Sequence, residues 1–281
     1  MINFNGKLCG EGDDFLDQDN RAFRYGDALF ETIKVVNGKI FFWEEHYLRL
    51  MSSMRILRME IPMNFTMEYL SEQINNIINA NALDKAPARI RLTVFRNNGG
   101  FYLPSTNDVS FVIESSTLNT PFFTIGEEVY TIELFKDFYV NPDMLSTLKT
   151  NNRIINVVGS IYAKENGYDN CILLNRDKKV VEVLNGNIFL VKGTKISTPP
   201  LKDGCINGII RKKIIDVVNS IDELTLHEES ISPFDLLKAD ELFITNAIKG
   251  IQPITKYRKK EFGVKLAKNL LGKLNVLVRL K

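Results

Sequence analysis

The chain has 281 residues, 44% of them hydrophobic, and its 36 basic and 34 acidic residues leave a formal net charge of +2. This length allows two ordinary domains or one large one, with enough apolar residues to fill a core. The nearly balanced charge, without a concentrated basic stripe, argues against nucleic acid as a partner.

Other counts narrow the class further. The three cysteines, Cys9, Cys171 and Cys205, are odd in number and widely spaced, which favours reduced, mostly buried thiols over a disulfide framework. The two histidines lack metal-ligand spacing, so we predict no metal site. The amino terminus has no leader-like apolar segment, and no run approaches the ~20 apolar residues that span a bilayer. We therefore expect a cytoplasmic protein with no membrane partner.

The first half of the chain predicts strands and helices in alternation. FETIKVVNGKIFF predicts two strands around the turn at Asn37-Gly38. Helices are predicted over Trp43–Leu57 and from Met67, where apolar residues recur every three or four positions. RIRLTVF (89–95) and VSFVIE (109–114) alternate as half-buried strands.

A candidate linker follows these strands. SSTLNTP (115–121) has the composition of a connection, and it predicts a boundary between an amino-terminal domain, 1–117, and a carboxy-terminal domain, 118–281.

Strands and helices also alternate beyond the linker. EVYTIEL, NCILLN, VVEVL, NIFLV and DELFITN predict strands, and GIIRKKIIDVV predicts a helix. A helix is expected from about Asn152 to Asn166, and Ser232 with Pro233 marks the start of a short one. Residues 259–280 predict a closing amphipathic helix. The alternation indicates an α/β or α+β fold.

Lys149 is a candidate catalytic residue. It stands between Leu148 and Thr150, just before a helix that reads as half buried. A lysine in a poorly solvated pocket loses part of its preference for the ammonium form, and its free amine can form a Schiff base with a carbonyl. The alternative interpretation is a surface lysine before a helix.

Glu182 is a candidate partner for a cofactor. It lies in KVVEVLNGNIFLV, a predicted strand with apolar residues on both sides. A carboxylate near a pyridine nitrogen keeps that nitrogen protonated, which makes the ring an electron sink. The alternative is a solvent-facing strand residue, because alternation places Glu182 opposite Val181 and Val183.

Two turns could bind phosphate. In GCINGIIRKK, Gly204 and Gly208 precede a helix whose free N–H groups point outward. In FITNAIKG, a strand ends at Thr245 and Asn246, whose hydroxyl and backbone amides could take a second side of the phosphate. Either turn alone could be an ordinary connection. A reactive amine, a ring-nitrogen partner and two phosphate-binding ends together indicate pyridoxal 5′-phosphate.

Five segments, in this order and at this spacing, resemble a known family. They are RYGDALFETIKVVNGKIFFWEEHYLRL, LKTNNRIINVV, VVEVLNGNIFLV, GCINGIIR and DELFITNAIKGIQPI. The chain resembles, over nearly its whole length, the class IV (fold type IV) pyridoxal-phosphate aminotransferases. That group holds branched-chain and D-amino-acid aminotransferases and 4-amino-4-deoxychorismate lyase.

The resemblance implies roles for individual residues. Lys149 would be the Schiff-base lysine, Glu182 the pyridine-nitrogen partner and Arg49 a ligand of the cofactor phosphate. The remaining phosphate ligands would be Ile209 and Ile210 through their backbone amides, together with Thr245 and Asn246.

The resemblance also implies an architecture. It predicts a smaller amino-terminal α/β domain, a larger carboxy-terminal domain built around a barrel-like sheet, and the cofactor in the cleft between them. Family members are homodimers in which residues near the YGD segment of the partner close the substrate pocket. Tyr25 and Phe30 occupy the corresponding positions here.

Two positions depart from the family pattern. Many members have threonine where this chain has Ile210, which removes one hydroxyl from the phosphate site. Branched-chain enzymes typically place a tyrosine five residues after the lysine, and Ile154 stands there instead.

The resemblance leaves the reaction open between two enzymes. One is an aminotransferase that moves the amino group of a branched-chain-like amino acid to a 2-oxo acid. The other is 4-amino-4-deoxychorismate lyase, which forms pyruvate and 4-aminobenzoate. Arg153 or Arg96 could bind a substrate carboxylate, although either could be a plain surface arginine. A protein that binds pyridoxal phosphate without turnover is a third possibility, against which the presence of both Lys149 and Glu182 argues.

Overall fold

A computed structural model of the chain describes residues 1–10, 12–14 and 16–280. They fall into two units, one made of Met1–Pro121 with Lys149–Asn152 and one made of Phe122–Leu148 with Arg153–Lys281. Both units combine helices with sheets, as the predicted α/β class requires.

The first unit contains one sheet. Its elements are strands β1 Ile2–Phe4, β2 Lys7–Cys9, β3 Ala28–Val36, β4 Lys39–Ile40, β5 Ala88–Arg96 and β6 Val109–Thr117, and helices α1 Arg21–Tyr25, α2 Trp43–Ile56 and α3 Met67–Ala80. The strands pair antiparallel in the order β2-β1-β6-β5-β3-β4. Helix α2 contacts β3, and α3 contacts β1 and β6. Alternate residues of β5, such as Ile90 and Leu92, are fully buried, as period-two patterning predicts.

Local sequence signals explain several elements of this unit. Asn37 and Gly38 both have positive φ, 50° and 74°, which is the geometry of a tight turn between antiparallel strands. The predicted hairpin is therefore confirmed. The Thr66 hydroxyl accepts a hydrogen bond from the Tyr69 N–H and so caps the start of α3.

The Lys149–Asn152 segment adds to the edge of β3. The Phe30 N–H donates to the Lys149 carbonyl at 2.9 Å, and the Asn151 N–H donates to the Ala28 carbonyl at 3.0 Å. On this edge of β3, strand β4 pairs with Val35 and Val36. The N–H and C=O groups at the start of β3 therefore need other hydrogen-bond partners. This pairing holds Lys149 in the first unit.

The second unit contains two five-stranded sheets. Its strands are β7 Thr131–Leu134, β8 Asn170–Leu174, β9 Val180–Val183, β10 Asn187–Lys192, β11 Lys195–Thr198, β12 Thr225–Glu228, β13 Glu241–Asn246, β14 Gly250–Ile254, β15 Lys256–Tyr257 and β16 Lys260–Glu261. Its helices are α4 Ile154–Glu165, α5 Ile209–Asn219, α6 Pro233–Leu236 and α7 Lys265–Leu280. The sheet orders are β12-β11-β10-β13-β14 and β16-β15-β7-β8-β9.

A shared core joins these two sheets. Buried residues of both, including Ile172, Val183, Ile188 and Leu242, form one cluster. A short turn between β9 and β10 connects the sheets and is closed by a bridge between Val183 and Gly186. The β9–β10 connection therefore lies where strands of both sheets meet.

The structure corrects two predicted boundaries. The closing helix begins at Lys265 instead of 259, because Lys260–Glu261 pairs with Lys256–Tyr257 as a small hairpin. The predicted linker overlaps a strand, because β6 continues through Thr117 in its pairing with β5. The boundary between residues 117 and 118 stays a prediction. Among the helices of the described residues, none combines the length and apolar composition needed to cross a membrane.

Candidate active site

The predicted site residues are divided between the two units. Tyr25, Phe30, Arg49, Arg96 and Lys149 lie in the first unit. The second unit holds Arg153, Glu182, Ile209, Ile210, Thr245 and Asn246.

Lys149 is half buried beside an aromatic ring. Its Nζ lies 4.1 Å from the centroid of the Phe30 ring. The guanidinium carbon of Arg91 lies 3.9 Å from the same centroid, and burial lowers the pKa of Arg91. Two cationic side chains thus lie against one phenylalanine ring. The sequence analysis did not identify Arg91.

A buried charge cluster lies in the same unit. Glu31 is 2% exposed; its Oε1 accepts from Arg49 Nε at 2.7 Å, and its Oε2 lies 2.7 Å from His46 Nδ1. Arg49 Nη2 completes a bidentate pair with the carboxylate. Burial alone would raise the pKa of Glu31, but Arg49 and His46 outweigh burial and lower it to about 2. Glu31 is therefore ionised at neutral pH.

His46 is neutral in this cluster. Burial lowers its pKa, and although Glu31 opposes this effect, the charges of Arg49 and Lys149 add to it. A neutral His46 that donates Nδ1–H to Glu31 leaves Nε2 as a buried acceptor, and Nε2 has no hydrogen-bond partner among the described residues. Glu31 thus orients Arg49, whose proposed ligand is the cofactor phosphate, and His46 binds the Glu31 carboxylate. Neither Glu31 nor His46 was predicted as a site residue. Their positions next to Phe30 and three residues before Arg49 were the features of the sequence that could have indicated them.

Tyr25 and Arg96 have different surroundings. Tyr25 is half buried, with the Arg21 guanidinium 4.9 Å from its ring centroid. Arg96 is 6% exposed, and its nitrogens donate to Asp27, Asn107 and the Leu57 and Arg58 carbonyls. Because these donors already have protein acceptors, the geometry favours a structural role for Arg96, and we leave it out of the proposed substrate site.

Glu182 is buried in the second unit. It is 5% exposed on β9, so the solvent-facing alternative does not hold. Its Oε2 accepts from the Ile206 N–H at 3.0 Å and from Asn187 Nδ2 at 3.4 Å. Neutral donors thus bond the carboxylate that the resemblance pairs with the pyridine nitrogen.

Asn187 brings the other residues of this unit together. Its Nδ2 also donates to the Ile206 carbonyl at 2.8 Å, and on β10 it stands opposite Thr245 of β13. A Cβ added to Gly208, just before α5, would lie 2.0 Å from Asn187 Oδ1, so only glycine fits there. The sequence motif E-x-x-x-x-N had included Asn187, but no role had been predicted for it.

The Thr245 hydroxyl and the first turn of α5 are the predicted phosphate-binding groups of the second unit. Thr245 is 2% exposed, and its hydroxyl has no hydrogen-bond partner among the described residues. Ile209 and Ile210 form the first turn of α5, where helix N–H groups lack intrahelical acceptors, and Gly208 supplies no side-chain cap. Backbone N–H groups and an unsatisfied hydroxyl are the groups that bind a phosphate dianion. These residues fit pyridoxal phosphate.

The side chain of Asn246 has another task. Its Oδ1 accepts from the N–H groups of Ile248 and Lys249, at 3.1 and 2.9 Å, and so holds the turn between β13 and β14. Its proposed phosphate contact therefore depends on its backbone amide.

Arg153 and Ile154 begin α4. Arg153 Nη2 donates to the Leu148 carbonyl, just before Lys149. Ile154 is 71% exposed. The position where branched-chain enzymes typically have tyrosine thus presents no hydroxyl in this chain.

The family model for class IV aminotransferases matches residues 28–257 of this chain. The chain therefore belongs to the class IV aminotransferases, as the motifs predicted. This family uses pyridoxal 5′-phosphate, which confirms the cofactor prediction and the prediction of an enzyme.

Relatives with different names are similar at comparable levels. A Methanocaldococcus jannaschii protein, provisionally named a branched-chain-amino-acid aminotransferase, is 30% identical over 90% of this chain and 86% of its own length. The D-alanine aminotransferase of Staphylococcus epidermidis is 25% identical over 90% of this chain and 87% of its own. The aminodeoxychorismate lyase of Vibrio harveyi is 26% identical over 91% and 94%. This identity fixes the family and leaves the specificity open.

Solved structures confirm the predicted fold type. The branched-chain aminotransferase of Thermoproteus uzoniensis, crystallised with norvaline, superposes with a TM-score of 0.87 at 25% identity, covering 99% of this chain and 94% of its own. The 4-amino-4-deoxychorismate lyase of Pseudomonas aeruginosa superposes at 0.82 with 23% identity, covering 98% of each chain.

Proposed function

We propose that this chain is a pyridoxal-phosphate-dependent aminotransferase that moves the amino group of an amino acid with an apolar, branched-chain-like side chain to a 2-oxo acid. The observation that carries the proposal is Lys149 Nζ, held 4.1 Å from the Phe30 ring with Arg91 beside the same ring. A reactive amine, an apolar surface and a carboxylate-binding guanidinium are what an apolar amino acid requires.

Each residue has a chemical task under this proposal. The cofactor supplies an aldehyde that accepts an amine and a pyridine ring that withdraws electrons. Lys149 would hold the cofactor through Nζ at its aldehyde carbon, and the same amine would carry the proton at the reacting carbon. Glu182 holds the ring nitrogen protonated.

The proposed phosphate ligands are a guanidinium, a hydroxyl and two backbone amides. Arg49, oriented by Glu31, contributes a guanidinium, and Thr245 contributes a hydroxyl. The first turn of α5 contributes the amides of Ile209 and Ile210. Because Ile210 has no hydroxyl where many relatives have threonine, Thr245 has a larger share of the binding.

The substrate carboxylate is assigned to Arg91. Its partly buried guanidinium lies against the Phe30 ring. Its Nε and Nη2 donate to Thr93 Oγ1 and Asn151 Oδ1 at 3.2 and 3.1 Å, so a carboxylate would bind through Nη1. Arg153, which begins α4, is retained as a second candidate. Tyr25 and Phe30 supply the apolar contacts.

The second candidate function is 4-amino-4-deoxychorismate lyase. The observation that favours it is the exposed Ile154 in place of the tyrosine typical of branched-chain enzymes. The similarity to the Vibrio harveyi lyase over 94% of that protein also supports it. Lys149 and Glu182 would serve both reactions in the same way, so they do not choose between them.

One set of assays tests the choice. The purified holoenzyme is incubated with leucine and 2-oxoglutarate, with D-alanine and 2-oxoglutarate, and with 4-amino-4-deoxychorismate. We expect glutamate from leucine at the highest kcat/KM. Pyruvate and 4-aminobenzoate from the third substrate alone would replace the proposal with the lyase. Glutamate from D-alanine alone would reverse the enantiomer preference.

We further propose that the enzyme is a cytoplasmic homodimer. Helix α4 presents a stripe of apolar residues to solvent, Ile154, Val157 and Ile161, which are 71%, 52% and 52% exposed. Such a stripe is typical of an interface. Sedimentation should give twice the chain mass for the native protein, and Val157→Asp should shift it towards the monomer. A wild-type monomer at micromolar concentration would contradict the proposal.

A further inference from the structure

Arg211 is a buried residue of α5 that has no role in the proposed function. It is 3% exposed and lies in the first turn of the helix, two residues after Ile209. A guanidinium this deeply buried needs protein acceptors in place of water. Those acceptors show which parts of the second unit the side chain connects.

One acceptor of Arg211 is a backbone carbonyl. Its Nη2 donates to the Pro199 carbonyl at 2.9 Å and to Glu228 Oε2 at 2.5 Å. The Glu228 side chain is 46% exposed, so water screens much of that ion pair. Pro199 begins the segment that leads from β11 to α5. Arg211 therefore ties the start of this segment to the helix at its end.

The Cys205 thiol reaches the same carbonyl from within the segment. Its Sγ lies 3.6 Å from the Pro199 oxygen and 3.7 Å from the Pro200 oxygen. Burial raises the pKa of this thiol to about 12, so the thiol stays protonated at neutral pH and acts as a donor. The start of the segment, its turn at Cys205 and helix α5 thus meet at one oxygen atom.

The turn at Cys205 also supplies hydrogen bonds to the Glu182 site. The N–H of the next residue, Ile206, donates to Glu182 Oε2 at 3.0 Å. The Ile206 carbonyl accepts from Asn187 Nδ2 at 2.8 Å, and the same Nδ2 donates to Glu182 at 3.4 Å. A shift of Ile206 would therefore disturb both of these donors to the carboxylate at once.

Three buried charges act on the thiol of this turn. Besides burial, the carboxylates of Glu182 and Asp203 raise the pKa of Cys205, and the Arg211 guanidinium lowers it. The three charged residues are 5%, 7% and 3% exposed. Opposite charges attract strongly where water is excluded. Loss of Arg211 would therefore remove a hydrogen bond to the segment and also a positive charge near two buried carboxylates.

We propose that Arg211 and Cys205 are positioning residues that hold the segment from Pro199 to Ile206 and thereby keep the Glu182 carboxylate directed at the cofactor ring nitrogen. The inference rests on the proposed function, in which Glu182 holds that nitrogen protonated. Both side chains act through the Ile206 N–H and not by contact with the cofactor.

The test compares Arg211→Met and Cys205→Ala, each alone and combined with Glu182→Gln, as full-length holoenzymes. The control is Arg176→Met, at an exposed arginine of the same unit. The pyridine nitrogen of the bound cofactor carries an isotopic label, and its NMR shift reports whether that nitrogen is protonated. The substrate is the one of leucine, D-alanine and 4-amino-4-deoxychorismate that the wild type turns over.

We expect Arg211→Met to lower kcat roughly tenfold with KM changed by less than about twofold, because Glu182 acts on the cofactor and not on substrate binding. The ring-nitrogen shift should move towards the unprotonated value. Cys205→Ala should act in the same direction, by about threefold in kcat. Neither substitution should lower kcat further in the presence of Glu182→Gln, because both act through that carboxylate.

Two kinetic and spectroscopic outcomes would overturn the inference. One is an unchanged ring-nitrogen shift in Arg211→Met. The other is a loss of kcat that multiplies with that of Glu182→Gln, which would mean that Arg211 acts by another route. Arg176→Met should match the wild type in kcat and in the ring-nitrogen shift.

Hydrogen exchange at Ile206 provides a measurement that does not depend on turnover. Arg211→Met and Cys205→Ala should speed exchange of the Ile206 amide while the β10 amides stay protected. Unchanged exchange at Ile206 would overturn the positioning role. Faster exchange in a protein that binds no cofactor would sink the proposed function and still confirm that Arg211 holds the turn. Cys205→Ala leaves the ion pair between Arg211 and Glu228 in place, so it keeps both measurements available if Arg211→Met fails to fold.

Discussion

The two units place their site residues by different physical means. In the first, ion pairs dominate: Glu31 pairs with Arg49 and accepts from the neutral His46, and Asp27 pairs with Arg21 and Arg96. In the second, the Glu182 carboxylate accepts hydrogen bonds from Asn187 and the Ile206 N–H, and the buried Thr245 hydroxyl has no partner among the described residues. Ion pairs respond steeply to pH and to the loss of one partner, whereas dipoles do not. The first unit should therefore be the more sensitive to charge substitution, and the second the more sensitive to loss of shape.

The largest effect should follow from Lys149→Ala, because its amine is the group that would bind the cofactor aldehyde. We expect kcat to fall roughly 10⁴-fold or more and the visible absorbance of bound cofactor to shift. Lys85→Ala, at an exposed lysine of the same unit, is the matched control and should leave both unchanged. Retention of about a tenth of the wild-type kcat would show that the chemistry does not use Lys149.

Glu182→Gln tests the carboxylate of the second unit. Glutamine keeps the shape and can still accept from the Ile206 N–H, but it cannot hold the ring nitrogen protonated. We expect kcat to fall roughly 10²- to 10³-fold while the midpoint of thermal unfolding changes little. Glu223→Gln, at an exposed position, should match the wild type in kcat. A large loss of stability with an unchanged kcat would assign Glu182 to folding.

The pH dependence of stability should separate the units. The pKa of Glu31 is about 2 in the folded chain against an ordinary 4.5, so its contribution is present above pH 4.5 and is lost as the pH falls towards 2. This contribution is about 3 kcal/mol. The lowered pKa of His46 acts in the same direction, because the unfolded chain takes up that proton first as the pH falls below 6.5.

Denaturant unfolding of wild type and Glu31→Gln, from pH 7 down to pH 3, measures this effect. The variant should be less stable at pH 7, and its stability should fall less steeply with acid. Parallel curves for the two proteins would mean that Glu31 is not the group responsible.

Thr245→Val should give the smallest effect and the clearest signature of a phosphate site. Removing a buried hydroxyl without a partner should slightly raise the Tm of the cofactor-free protein. Adding pyridoxal phosphate should raise the Tm of the variant by less than it raises that of the wild type, because the variant loses about 1 kcal/mol of binding free energy for the cofactor. Thr198→Val is the control, since its hydroxyl donates to the Ile188 carbonyl at 2.9 Å. This control should lower both Tm values equally. A lower Tm for cofactor-free Thr245→Val would show that the hydroxyl has a protein partner.

Local signals predicted a large part of the secondary structure. The hairpin at Asn37-Gly38 and the cap at Ser232 depend on residues adjacent in sequence, and both formed as expected. The buried face of α5, with Ile210 and Ile214, followed from helical spacing. Strands β1, β2, β15 and β16 were not predicted, because strands of two or three residues are too short to show a periodic pattern.

Site residues were harder to judge because their surroundings come from distant parts of the chain. Arg96 was a reasonable substrate ligand by sequence, yet Asp27 and the carbonyls of Leu57 and Arg58 use its donors. Alternation pointed Glu182 towards solvent, but both faces of β9 are covered. Arg91 was not predicted as a site residue, because it is one of several polar residues that alternate along β5. Only the fold places it beside Phe30.

The sequence by itself determined the family and the residue types of the chemistry: a lysine, an acid five residues before an asparagine, and two phosphate-binding turns. Tertiary structure decided which of those residues are buried and with what partners. It attached Lys149 to the edge of β3, more than a hundred residues away in sequence. It also left the Thr245 hydroxyl without an acceptor or donor among the described residues. The reason is physical: caps and turns form between neighbours in the chain, whereas desolvation and ion pairing depend on everything packed around a group.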